Sequence, residues 1–156
     1  MKKRVLGLLC VLSVLLSVFA NTSYAYTNVS DRALLDLRAF GIMEGDESGE
    51  LNLDNNVTRA EFSKMTVAAL NASDMIGLNC EFTDVEEDDW FYNSVALLNN
   101  MGLINGYEDG SFRPNANVTY NEAVKIIVCA LGYYNVAESS GGYPNGYLTV
   151  ATSLGL

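Results

Sequence analysis

Two stretches open with the same four-residue device, Thr58-Arg59-Ala60-Glu61 and Thr119-Tyr120-Asn121-Glu122. Threonine followed three residues later by glutamate, ahead of an apolar run, is a capping box. The hydroxyl accepts from the third helical amide, and the carboxylate reaches back to the cap amide. Thr58, Glu61, Thr119 and Glu122 are therefore expected to be structural. Arg59 is different in kind. It stands at the first helical position, where the helix dipole disfavours a cation by ~0.3–1 kcal/mol. Removing it is then expected to leave stability level or slightly raised. An anionic ligand would explain it, because a carboxylate could meet free helix amides and the guanidinium together. The competing reading is a surface arginine paired with one of the many acids, worth ~0–1 kcal/mol.

Other side chains offer binding rather than reaction. Trp90, the one tryptophan, stands beside Asp89 and presents either a flat face for a sugar ring or a packing surface. Tyr107 has the same two readings. Arg113, before Pro114, is the cation of its loop, available to a ligand or to a structural hydrogen bond. The run Glu86-Glu87-Asp88-Asp89 lacks the alternating ligands and central glycine of a calcium loop, so a solvated helix start is the better reading and no metal is expected. The chain has no histidine, and no nucleophile–base pair or phosphate loop is visible. No enzyme chemistry and no cofactor are expected.

The elements that carry these residues repeat. At a shift of 61, Gly41 to Asn71 lies on Gly102 to Gly132 without a gap, matching Gly45/Gly106, Val57/Val118, Thr58/Thr119, Glu61/Glu122 and Lys64/Lys125 among others. At a shift of 53, Tyr143 to Leu156 lies on the stretch that begins at Trp90, as the start of a third copy. A copy that stops after its first helix cannot bury that helix's apolar face by itself, so the sequence is expected to be a fragment of a longer protein.

Each copy reads as helix, loop, helix. Ser30, and then Asp88 or Asp89, are expected caps, with Gly41 and Gly102 as stops. The expected inward faces are Leu34, Leu37 and Phe40; Phe62, Met65, Ala69 and Leu70; Phe91, Val95, Leu98 and Met101; and Ala123, Ile126, Ile127, Ala130 and Leu131. The loop from Gly106 to Phe112 contains the turn signal Asp109-Gly110.

The N-terminus reads as a secretory signal. Lys2, Lys3 and Arg4 precede an apolar stretch from Val5 to Ala20, and Ser23-Tyr24-Ala25 is a small-residue cleavage site. Cleavage would leave 131 residues, in which six basic residues face 19 acids for a net charge of −13. Such a field repels nucleic acid and anionic membranes, and no second apolar span follows the signal. Cys80 and Cys129 are either a disulfide or free thiols, with a buried free thiol at least as well supported for Cys129.

Phe82-Thr83-Asp84-Val85, Trp90, Gly102 to Tyr107, Asp109 to Pro114 and Val118-Thr119 together resemble an S-layer homology repeat, and Thr58-Arg59-Ala60-Glu61 resembles the same family's signature. The resemblance covers the mature chain. It implies an all-α fold of tandem helix-loop-helix repeats forming a pseudo-threefold helical bundle. The domains expected are a signal peptide at 1–25, repeats at 26–72 and 82–133 joined by a linker at 73–81, a further linker at 134–142, and an incomplete third repeat at 143–156.

The resemblance also implies a function. Such domains hold exported proteins on the wall of mostly Gram-positive bacteria, non-covalently, by binding secondary cell-wall polymers, often pyruvylated, in grooves between repeats. Arg59, Trp90, Tyr107, Arg113 and Asp89 are the glycan-binding candidates it points to, with a groove that joins Arg59 to Trp90. Association in a surface lattice is a further contact of this class. Two alternatives stand beside this one: a surface-assembly module without glycan affinity, and the anchor of an exported enzyme encoded beyond residue 156.

Overall fold

The computed structural model describes residues 29–46 and 48–156. The expected signal segment, and the side chain of the expected cap Ser30, lie outside the described residues. The chain divides into a short unit, Met1–Asp36, and a main unit, Leu37–Leu156. In the first, helix α1 (Val29–Ala39) begins, with Arg32 bonded to Asp36 one turn on.

The main unit contains α2 (Arg59–Ala69), α3 (Tyr92–Asn100), α4 (Tyr120–Ala130), α5 (Tyr134–Ser139) and α6 (Asn145–Leu154). The fold is all-α, and among the described residues the sole β-type feature is one antiparallel bridge between Thr58 and Asn117. Helix α3 packs on α2, while α6 packs on both α4 and α5. The stretch 134–142, read as a linker, thus carries a helix of its own.

Local chemistry starts and stops these helices. Thr58 accepts from the Glu61 amide at 3.2 Å, and the Glu61 carboxylate accepts from the Thr58 amide at 2.7 Å. Thr119 and Glu122 repeat this at 3.3 and 2.9 Å. Helix α3 departs from expectation. It starts at Tyr92 with no side-chain cap, because the Asp89 carboxylate turns back to accept from the Glu86 amide at 2.8 Å. Its C-terminal stop is Gly102, whose φ of 70° suits glycine.

The buried faces also differ from the periodicity. On α2 the buried stripe is Ala60, Ser63 and Val67, with Phe62 and Met65 half-buried and Ala69 exposed. On α3, Val95 to Leu98 are all buried and Met101 is exposed. On α4 the buried residues are Val124, Ile126, Val128 and Cys129, while Ile127 and Leu131 are exposed. Phe40, expected inward, is 74% exposed. These helices are apolar on more than one side, so their neighbours decide which side is covered. Helix α6 lies on α4 and seats Tyr147 in the core, its hydroxyl donating to Glu138 of α5 at 2.6 Å. Cys80 and Cys129 are free thiols, both pushed up by burial.

Candidate functional site

The site begins with the loop between α3 and α4. The Tyr107 amide donates to the Ser111 carbonyl at 2.8 Å, and the Gly110 amide to the Tyr107 carbonyl at 3.0 Å. The loop of the first copy makes the same two bonds at Asp46, Gly49 and Glu50, so the repeat holds at the level of hydrogen bonds. Asp109 ties the turn together. It accepts from the Ser111 hydroxyl and amide at 2.6 and 3.0 Å and from Arg113 at 3.0 Å, which hold its carboxyl down at about 2. Gly106 is needed for close approach: a Cβ there would strike the Phe82 ring and lie 2.8 Å from the Ser111 carbonyl.

Asp84 fixes the far end of the loop. Its two oxygens accept from the Phe112 amide at 2.7 Å and the Arg113 amide at 2.8 Å. Phe112, almost fully buried, stacks on Phe82 with ring centroids 5.4 Å apart. The chemical role of Asp84 was not legible in the sequence; the sole signal was its place in Phe82-Thr83-Asp84-Val85.

The chain beyond Phe112 then joins the two copies. Residues 114–118 lie along the start of α2, with the Arg59 amide donating to Ala116, the Ala60 amide to Pro114, and the Val118 amide to Val57. The helix amides expected to be free for an anion are therefore already bonded to protein carbonyls.

Arg59 completes this seam. Its side chain is 7% exposed. Nε donates to the Phe112 carbonyl at 2.8 Å, one terminal nitrogen to Glu122 Oε1 at 2.6 Å, and the other to the Asn105 carbonyl at 3.1 Å. The guanidinium lies over the Phe112 ring at 4.5 Å and the Tyr107 ring at 5.1 Å. Local stability does give a reason for Arg59, contrary to the expectation from its helix position. The dipole cost of less than about 1 kcal/mol is small beside a paired and hydrogen-bonded buried charge.

Glu122 is the other half of the joint. Burial raises its pKa, but hydrogen bonds from Thr119, the Arg59 charge and Tyr107 outweigh that and leave the carboxyl below its ordinary value. The sequence marked Glu122 as a cap and missed its second partner, which lies 63 residues away.

Around this joint opens a cavity of about 290 Å³. Its polar lining includes Arg59, Asn105, Tyr107, Glu122, Lys125 and Tyr143, over an apolar floor that includes Leu103 and Ile126. Lys125, Asn105 and Tyr143 were not singled out by sequence. Of the candidates, the structure places Arg59 and Tyr107 in this lining and Arg113 against the Tyr107 ring at 3.8 Å. Trp90 and Asp89 are not part of it. Trp90 is 61% exposed, edge-on to Phe91 at 5.2 Å, with Lys64 Nζ 5.8 Å from its ring. Arg59 is thus joined to Tyr107 rather than to Trp90, because Glu122 and two carbonyls draw the guanidinium inward. Among the described residues no cluster of ligating side chains could hold a metal.

Comparison with known proteins agrees with the repeat. The S-layer homology domain model matches residues 27–63 and 81–124. A middle cell wall protein of Brevibacillus brevis is 33% identical over 129 residues, covering 81% of this chain and 12% of that protein. A surface layer protein of Brevibacillus choshinensis gives 33% over the same length, 81% of this chain and 11% of its own. An exoglucanase of Acetivibrio thermocellus is 36% identical over 90 residues, 57% of this chain and 8% of the enzyme. The chain therefore spans a small part of the relatives it matches.

Proposed function

The chain belongs to the S-layer homology domain family, and from that premise we propose that it anchors an exported protein to the bacterial cell wall by binding an anionic secondary cell-wall polysaccharide. The ligand site is the cavity at the joint between copies, and a pyruvylated polymer is the first to try. The observation that carries this reading is the cavity itself. It is half-enclosed, lined by Arg59, Lys125, Glu122 and two tyrosines for a net charge of one positive, and set in a chain with 19 acids against nine bases. Attraction for an anion is thereby concentrated at one place.

The names of the two Brevibacillus relatives point to the cell wall and the surface layer as the location. Export would follow from removal of 1–25, and repeats at 26–72, 82–133 and from 143 on would share a pseudo-threefold arrangement. Trp90, Arg113 and Asp89 remain candidate contacts for polymer running outside the cavity. The exoglucanase match supports the use of such a module as an enzyme's anchor, and at 8% of that enzyme it brings none of its chemistry here.

A structural module without glycan affinity is the second reading. It is favoured by one observation, that every nitrogen of Arg59 already has a protein partner. Retention of the exported chain on purified wall sacculi, before and after extraction of the secondary polymer, separates the two. Retention that disappears with the polymer is expected. Equal retention on extracted sacculi, or none on either, would reject the glycan reading.

A further inference from the structure

Three charged side chains line the cavity: Arg59, Glu122 and Lys125. The first two neutralise each other at 2.6 Å. Lys125 enters none of the ion pairs among the described residues, so the cavity's net positive charge is its own. The Asn105 amide, oriented so that its nitrogen donates to the Ile104 carbonyl at 3.0 Å, accepts from Lys125 Nζ at 2.9 Å. That bond holds the ammonium in place and uses one of its three donors.

Each aromatic wall meets a cation, and Tyr143 also packs edge-on to Tyr147 with ring centroids 6.3 Å apart. Tyr107 already meets the guanidinium of Arg113 at 3.8 Å and that of Arg59 at 5.1 Å. Tyr143 is half-exposed, and Lys125 Nζ stands 5.9 Å from its ring centre. A charge and a flat apolar face are thus presented side by side.

We propose that Lys125 and Tyr143 form the ligand-reading wall of this cavity and take one acidic sugar residue, its carboxylate on Lys125 Nζ and its ring against Tyr143. Arg59 is a positioning residue that holds the loop carrying Asn105 and Tyr107. The inference rests on the glycan-binding reading above and names the side chains that carry it. At about 290 Å³ the cavity stands at the small end of ligand pockets, which begin at about 300 Å³. A carboxylate beside a half-buried ammonium is also attracted more strongly than at an open surface, where water screens the pair.

The test is an NMR titration of the exported chain with methyl glucuronide, with methyl glucoside as the neutral control. Glucuronide should shift the amide signals of Asn105, Lys125 and Tyr143 saturably, at least about tenfold more tightly than glucoside. Lys125→Gln should abolish that preference with the unfolding temperature unchanged, and Tyr143→Ala should weaken both sugars. Equal affinity for the two sugars, or a preference that survives Lys125→Gln, would overturn the proposal. Sacculus retention of the same variants tells its failure from that of anchoring. Lys125→Gln retained as well as the parent sinks the role of Lys125 and leaves anchoring intact. A parent that is not retained, yet still prefers glucuronide at these signals, sinks anchoring and upholds the pocket's chemistry.

Discussion

Arg59 at the start of α2 donates to Glu122 at the start of α4 over 2.6 Å, and the same glutamate closes its own helix's capping box through Thr119. One carboxylate thereby couples a local helix start to the joint between two copies. Its loss should be felt at both.

Arg59→Ala removes a 7%-exposed charge together with its three bonds, and leaves Glu122 without its countercharge. Breaking such a pair costs about 3–5 kcal/mol when it is fully buried. Glu122 is 22% exposed, so about 2–3 kcal/mol is expected here, after a discount for screening by water. Thermal unfolding should show a clear drop in midpoint, the opposite of what the helix position alone implies. A variant as stable as its parent would remove Arg59 from the joint.

Acid should weaken the joint through Glu122. Its folded pKa lies below its ordinary value of 4.5, so the unfolded chain takes up the proton first. The stabilisation is complete above that ordinary value and is lost as pH falls through the lower, folded one. Glu122→Gln should be less stable at neutral pH and should lose less on acidification than the parent. Parallel stability curves for the two proteins between pH 6 and 3 would contradict the assignment.

Asp84→Asn keeps the shape of the carboxylate but cannot accept with both arms from Phe112 and Arg113. Hydrogen bonds to a charged group are worth about 1.5–3 kcal/mol each, so a loss near 2 kcal/mol is expected. Hydrogen exchange at the Phe112 and Arg113 amides should rise by more than at α6. Uniform exchange changes across the chain would point to global destabilisation instead.

Gly106→Ala and Gly102→Ala should fail for different reasons. At Gly106 the new methyl meets the Phe82 ring and the Ser111 carbonyl, so the turn must open and the midpoint should fall steeply. At Gly102 nothing lies within 4 Å, and the cost is the positive φ of 70°, worth about 1 kcal/mol. Calorimetry that ranks Gly102→Ala as the worse of the two would show that the packing of Phe82 on the turn is loose.

The sequence by itself determined what is decided within a few residues of chain. Both capping boxes, the glycine stop at Gly102 and the turn at Asp109-Gly110 depend on partners no more than about four positions away, and a short motif names both partners. The all-α repeat was legible for the same reason, since its units are local and appear twice. Arg59 was legible as an anomaly, but not by its destination.

Its partners Phe112, Asn105 and Glu122 lie 53, 46 and 63 residues onward. Only the folding of the second copy's loop over the start of α2 brings them to it. The buried faces of α2 and α4 were open in the same way, because a helix apolar on several sides has no preferred side until a neighbour covers one. Tertiary packing also made Lys125 a candidate, by pairing Glu122 with Arg59 and leaving the lysine's charge to the cavity.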